Sequence, residues 1–152
     1  ISLGLVGSEM CIRDSYNKAT KIKEKGAIMA DDCLFCKIVA GEIPSKKVYE
    51  DEVCYAFDDI EPEAPVHTLV VPKKHYENLN DNPDPELLGH LLSVVPEIAK
   101  IKGVYDSGYR VNINTGEDSA STVPHLHLHI MGGIKMGRAT FEESFRLEEN
   151  AE

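Results

Sequence analysis

Apolar and polar residues alternate or cluster in five short strand-like runs. These are residues 47–50, 53–57, 68–71, 109–113 and 125–131, rich in Val, Ile, Tyr, Phe and Leu. Asp51-Glu52 separates the first two as a short acidic turn, which predicts a hairpin. A short helix is expected from residue 33 to about 40, capped by the carboxylate of Asp31 or Asp32. Gly41 and Pro44 stop it. One long helix is expected from residue 85 to about 102, with Asp84 as its cap and Pro85 at its first position. Leu87, Leu88, Leu91, Leu92, Val95, Ile98 and Ala99 give it a broad apolar stripe. Pro96 lacks an N–H and predicts a kink. The order helix, three strands, helix, two strands reads as α+β, an antiparallel sheet with its helices on one side.

The last run carries the chemistry. In His125-Leu-His-Leu-His129-Ile-Met131, strand geometry puts His125, His127 and His129 on one face and Leu126, Leu128 and Ile130 on the other. Neighbouring histidines then lie roughly 6.5–7 Å apart. The chain has six histidines, and core packing explains three in strict alternation poorly. Imidazole suits a metal site, and it equally suits nucleophilic or acid–base work on a phosphate ester or amidate. The preceding loop, residues 112–124, is full of hydroxyls, amides and small residues. Such a loop can aim donors at phosphoryl oxygens, which favours the second use.

Composition narrows the class. A formal net charge of -10 over 152 residues disfavours nucleic acid as a partner. No apolar run approaches the length of about 20 residues that a membrane span needs. The cysteines, Cys11, Cys33, Cys36 and Cys54, are too few and too uneven for a secreted disulfide scaffold, so a cytoplasmic setting is expected. Cys54 reads as a small buried hydrophobe. Cys33-x-x-Cys36 is by itself compatible with zinc binding, with two reduced buried thiols or with a redox pair. Residues 1–28 show no helical or strand period, and residues 2–14 resemble a translated sequencing-adapter read-through. They are expected to be a non-native or disordered extension, with Met29 as the natural start of a single domain over residues 29–152. The acidic C-terminal tail is expected to be partly helical over residues 141–147.

Several motifs resemble, in order, those of the histidine triad superfamily, and of its Hint branch in particular. They are Cys33-Leu-Phe-Cys-Lys-Ile38, Gly41-Glu-Ile-Pro44, Phe57-Asp-Asp-Ile60, Ala64-Pro-Val-His67, Val71-Pro-Lys-Lys-His75, and His125 to Met131 followed by Gly132-Gly133. The resemblance covers about residues 33–136. It implies a HIT-like fold, a five-stranded antiparallel sheet with two helices, joined into a ten-stranded sheet in a homodimer. It implies a hydrolase or nucleotidyl transferase for purine nucleoside phosphoramidates of the AMP-NH2 kind. His127 resembles the family nucleophile, which forms a covalent nucleotidyl-histidine that water then cleaves. His129 would contact the phosphate, and His125 and His67 would lie behind the nucleophile and orient or charge it. Asn114 matches a phosphate contact, Thr122 the hydroxyl that meets the leaving group, and Asp59 the acid that holds the ribose. Leu34, Phe35, Ile38, Phe57 and Ile60 would form the slot for the base.

Two positions depart from the family pattern. Ala120-Ser121 stands where the family usually has Gly-Gln, within the nucleotide loop; an alanine restricts the backbone there. The tail also lacks the aromatic ending of many Hint proteins. Relatives with Cys-x-x-Cys bind a structural zinc, and their other ligands match His75 and His125; the chemistry itself requires no cofactor. Two other functions compete with the phosphoramidase: cleavage of dinucleoside polyphosphates, as in the Fhit branch, and a nucleotide-binding scaffold with little activity.

Overall fold

The computed structural model describes residues 32–138. The expected N-terminal extension, Asp31 and the helix expected over 141–147 lie outside the described residues. The elements are α1 (Leu34–Val39), β1 (Lys47–Glu50), β2 (Cys54–Asp58), β3 (Val66–Pro72), α2 (Pro85–Ser93), α3 (Val95–Ile101), β4 (Tyr109–Ile113) and β5 (Leu128–Gly132). The strands form one antiparallel five-stranded sheet in the order β1-β2-β3-β5-β4. The last strand therefore inserts between β3 and β4, near the middle of the sheet.

The expected long helix is present as a bent rod. Asp84 caps it by accepting from the Glu86 N–H, and Pro85 stands in its first turn. It breaks at Val94, between α2 and α3. Pro96 cannot donate to Leu92, the carbonyl one turn back, so the break falls just before it. The hairpin is also where the pattern put it. Asp51 Oδ1 accepts from the N–H groups of Val53 and Cys54 at 2.9 and 2.8 Å. Its Oδ2 accepts from His90 Nε2 on α2 at 2.7 Å and from the Tyr49 hydroxyl. Cys54 is fully buried, and burial pushes its thiol up to about 12.

The helices do not share one side of the sheet, contrary to the expectation. Ala56, Val70, Leu128 and Ile130 pack under α2 and α3 with Leu91, Val95 and Ile98. Phe57, Leu69 and Val71, from the opposite face, pack under α1 with Leu34, Phe35 and Ile38. Strand β3 is consequently buried on both faces. Its unbroken apolar run, Leu69-Val-Val71, is what a doubly covered strand looks like. The helix cap at α1 also differs. Cys33 is the N-cap residue and no side chain caps the helix; the Cys33 sulfur is turned towards His125.

Strand β5 starts at Leu128, three residues later than expected. Leu126 N–H donates to the Tyr76 carbonyl, beyond the end of β3, and the Pro72 carbonyl accepts from the His125 ring. The two-residue alternation nevertheless runs on through this segment, with Leu126 in the core under α2 and α3.

Asp51 joins the hairpin to α2. Burial works against its charge, but the hydrogen bonds from His90, Val53 and Cys54 outweigh it and hold the carboxyl far below the usual carboxylate range. Replacing Asp51 by Ala should lower unfolding free energy in urea by about 2 kcal/mol. The stabilisation is complete above the unfolded carboxylate's pKa of about 4 and fades as pH falls below it. A variant as stable as the parent at pH 7 would contradict this assignment.

Candidate functional site

Helix α1, the loop after β2 and the loop before β5 enclose a cleft of about 930 Å³ on the α1 face of the sheet. Leu34, Phe35 and Ile38 from α1 and Phe57 from β2 form its apolar end, with Ile60 beside them. Phe35 and Phe57 meet edge to face with centroids 5.5 Å apart. Asp59, Asn114, Ala120, Ser121 and Thr122 line the polar end, with His67, His127 and His129 on the sheet floor. Every residue expected to contact nucleotide therefore borders this one cleft. Arg110 and Asn112 on β4 border it too and were not anticipated. Their alternation with Val111 was the available signal, since Asn112 pairs with His129 in register.

Hydrogen bonds assign the protons on the three floor histidines. A backbone N–H can only donate and a carbonyl can only accept. His67 Nδ1 accepts from the Glu63 N–H at 3.0 Å, so the neutral ring carries its proton on Nε2. That Nε2–H donates to His129 Nδ1 at 2.8 Å, with Asp59 Oδ2 3.6 Å away. His129 then carries its proton on Nε2, 3.5 Å from the Asn114 amide nitrogen; both are donors, so the pair faces an acceptor rather than bonding to each other. His127 Nδ1–H donates to the His125 carbonyl at 2.6 Å. Its Nε2 is left with an unshared pair.

Burial lowers the pKa of His127, opposed by that bond to the His125 carbonyl. Burial, aided by His127 and His67 alongside, takes His129 down to about 4. Both rings are thus neutral at neutral pH. The cleft offers a bare imidazole nitrogen, an imidazole N–H donor and an amide within one wall. That set can attack an electrophilic phosphorus and hold its oxygens.

His67 hydrogen-bonds His129, with Asp59 alongside, and acts on His127 through charge rather than through a bond. His125 orients His127 through its backbone carbonyl, while its ring points away from the cleft.

The His125 ring belongs to a second cluster. Ligand atoms of Cys33, Cys36, His75 and His125 all lie within 4.8 Å of one another. His125 Nδ1 is 3.3 Å from Cys33 Sγ and 3.5 Å from Cys36 Sγ. His75 Nδ1 is 3.4 Å from Cys36 Sγ and 3.2 Å from His125 Nδ1. Tetrahedral zinc with bond lengths of about 2.0–2.3 Å requires ligand separations of about 3.3–3.8 Å, so the residues present fit such an ion. His125 Nε2–H donates to the Pro72 carbonyl at 2.9 Å, which leaves Nδ1 bare for a ligand bond. A hydrogen bond from Cys36 depresses the Cys33 thiol strongly; burial opposes it, and His125 and His75 add to it.

The loop before β5 is strained where the chain departs from the expected Gly-Gln. Ala120 has φ 56° and ψ 30°, the left-handed region that favours glycine. It closes the 3₁₀ turn Glu117–Ser119, donating its N–H to the Glu117 carbonyl at 2.9 Å.

Comparison with known proteins agrees with this fold. The family model described as the HIT domain matches residues 40–136. Protein HitA of Neisseria gonorrhoeae is 49% identical over 104 residues, which is 67% of this chain and 96% of HitA. A histidine triad protein from Clostridium difficile is 50% identical with a TM-score of 0.68, covering 72% of this chain and 96% of that one. A HIT family hydrolase from Legionella pneumophila is 44% identical with a TM-score of 0.67, covering 70% of this chain and 96% of that one.

Substituting Ala120 by Gly should relieve the left-handed strain and raise stability by about 1 kcal/mol, read as a higher melting temperature. A lower melting temperature would show that the loop is not strained at this residue. His129, with a folded pKa of about 4, stays neutral in the native state over a range where the unfolded ring binds a proton. Native stability should therefore fall as pH drops from about 6.5 towards 4. In His129→Gln the drop in melting temperature between pH 7.5 and pH 5 should be smaller than in the parent.

Proposed function

The chain belongs to the HIT domain family, and from that premise we propose that it is a nucleotide hydrolase or nucleotidyl transferase acting through a covalent intermediate on His127. The observation that carries this reading is the bond from His127 Nδ1–H to the His125 carbonyl, which leaves Nε2 unprotonated inside the cleft. In the reaction, Nε2 attacks the α-phosphorus of a nucleoside phosphoramidate bound with its nitrogen protonated; the N–P bond to His127 forms as the P–N bond of the substrate breaks, and a neutral amine leaves. Water then cleaves the nucleotidyl-histidine. His129 Nε2–H and the Asn114 amide hold the phosphoryl oxygens, and Thr122 meets the leaving group. Asp59 accepts from the ribose hydroxyls, and the purine enters between Leu34, Phe35, Ile38, Phe57 and Ile60.

Charge in the cleft favours phosphoramidates over dinucleoside polyphosphates. Asp59, Glu61, Glu63 and Asp118 border it, whereas Arg110 is the one Lys or Arg among its described lining residues. Arg110 already gives an N–H to the Gly137 carbonyl. Each further phosphate charge adds repulsion from these carboxylates.

The Cys2His2 cluster we assign to a structural zinc, held by Cys33, Cys36, His75 and His125. It would tie α1 to residue 125 and supply no step of the reaction. A homodimer and a cytoplasmic setting complete the proposal. Among the described residues strand β4 is hydrogen-bonded on one side only, to β5, and Cys33, Cys36 and Cys54 form no disulfide, which suits a reducing compartment. Among the described residues no helix is long and apolar enough to cross a membrane.

Denaturing mass spectrometry with an adenosine phosphoramidate tests the reading. The parent should show a transient mass gain of one AMP, and His127→Ala should show none and lose at least about a thousandfold in turnover. AMP binding without adduct or release would instead mark a nucleotide-binding protein, an outcome the strained Ala120 loop would help explain. Because burial lowers the pKa of His127 from the ordinary imidazole value, it takes up a proton at lower pH than a free imidazole does. The acid limb of turnover should therefore fall below 6.5; a decline centred at or above 6.5 would count against a buried nucleophile.

A further inference from the structure

His125 belongs to two structures at once. Its ring sits in the Cys33, Cys36 and His75 cluster, with Nε2–H anchored on the Pro72 carbonyl. Its backbone carbonyl takes the Nδ1 proton of His127. Displacing this one residue disturbs both. The segment precedes the β5 ladder, so its position rests on ring anchors and loop hydrogen bonds rather than on strand pairing. Helix α1 adds a second link. Cys33 and Cys36 bracket Phe35, whose ring stands edge-on to His127 at 5.2 Å and 87° and to His125 at 5.9 Å and 67°.

From this geometry we infer that the Cys33, Cys36, His75 and His125 centre does more than hold the fold: its metal occupancy positions the reacting ring. An ion bound there immobilises His125 and α1, and with them the Nδ1–H form of His127. A neutral imidazole can carry its proton on either nitrogen, and the partner of one nitrogen decides the state of the other. Without the anchor, the His125 carbonyl no longer holds Nδ1–H in place, and part of the population carries its proton on Nε2, where it cannot attack. His125 is thus a positioning residue. The inference rests on the proposed role of His127 for its consequence in turnover, but not for its test by ring tautomer.

Long-range proton–nitrogen NMR of the imidazoles in the full zinc-loaded chain, before and after chelation, tests the coupling. The loaded protein should show His127 locked as Nδ1–H. The chelated protein should show shifts averaged between tautomers and AMP-adduct formation slowed by about tenfold or more. An unchanged His127 pattern in metal-free protein that keeps its circular dichroism overturns the inference. Should chelation unfold the chain, cobalt-loaded parent and cobalt-loaded His127→Phe are compared by visible absorption. Coupling is reciprocal, so loss of the bond to the His125 carbonyl should shift the cobalt bands, and identical spectra overturn the inference. A chain that takes up neither zinc nor cobalt overturns it as well. Absence of an AMP adduct in loaded parent protein refutes the proposed reaction instead, and the tautomer and cobalt readings still decide the coupling.

Discussion

Burial of Leu126, Leu128 and Ile130 beneath α2 and α3 is the constraint on which the cleft depends. Side chains along an extended segment alternate faces, so sinking these three residues into one core forces His125, His127 and His129 to the other face. A slip of one residue would exchange the two sets and bury the histidines among aliphatic side chains. Insertion of β5 between β3 and β4 does the rest. It brings His129 alongside Leu69 and Asn112 and places His67 opposite Met131 in the next strand.

The polar face obeys a second rule, that a buried polar group needs a partner. Each floor histidine commits one nitrogen to a group of fixed character: His67 to a backbone N–H, His127 to a carbonyl, and His129 to its neighbour His67. These commitments set which nitrogen of each ring carries the proton. Burial penalises the charged form of His127 and His129. The cleft consequently offers neutral donors and one bare nitrogen in a lining that is rich in carboxylates. Under the proposed function, a phosphoryl group would be held by aligned dipoles rather than by net positive charge.

Stability and chemistry share residues here. Helix α1 has six residues and no side-chain cap, too short to persist alone. Packing of Leu34, Phe35 and Ile38 on the sheet and the sulfur–imidazole cluster hold it in place. The same helix walls the cleft. At the opposite wall, Ala120 keeps a left-handed backbone at a residue that borders the cleft. Strain at such a position persists when the surrounding loop over-determines it.

Much of this architecture follows from local pattern. The Asp51 hairpin, the Asp84 cap, the break before Pro96 and the opposition of histidines to leucines are consequences of backbone geometry and spacing within a few residues. The residues expected at the nucleotide site also gather in one cleft, because the motifs that carried the resemblance fall on α1, β2, β3, β5 and their loops. Other features were decided by the path of the chain. Cys33 meets His125 across 92 positions, and that meeting takes the Cys33 side chain towards the cluster while the helix goes uncapped. The placement of α1 on the far face, the exit of residues 125–127 from the ladder, and the presence of Arg110 and Asn112 in the cleft all depend on which elements pack together. The proton positions do so most of all. By itself the sequence determined which side chains could face one another. Only the tertiary structure decided which nitrogen of each floor histidine carries its proton, because that turns on a backbone N–H from Glu63 and a carbonyl from His125, groups that nearly every residue has.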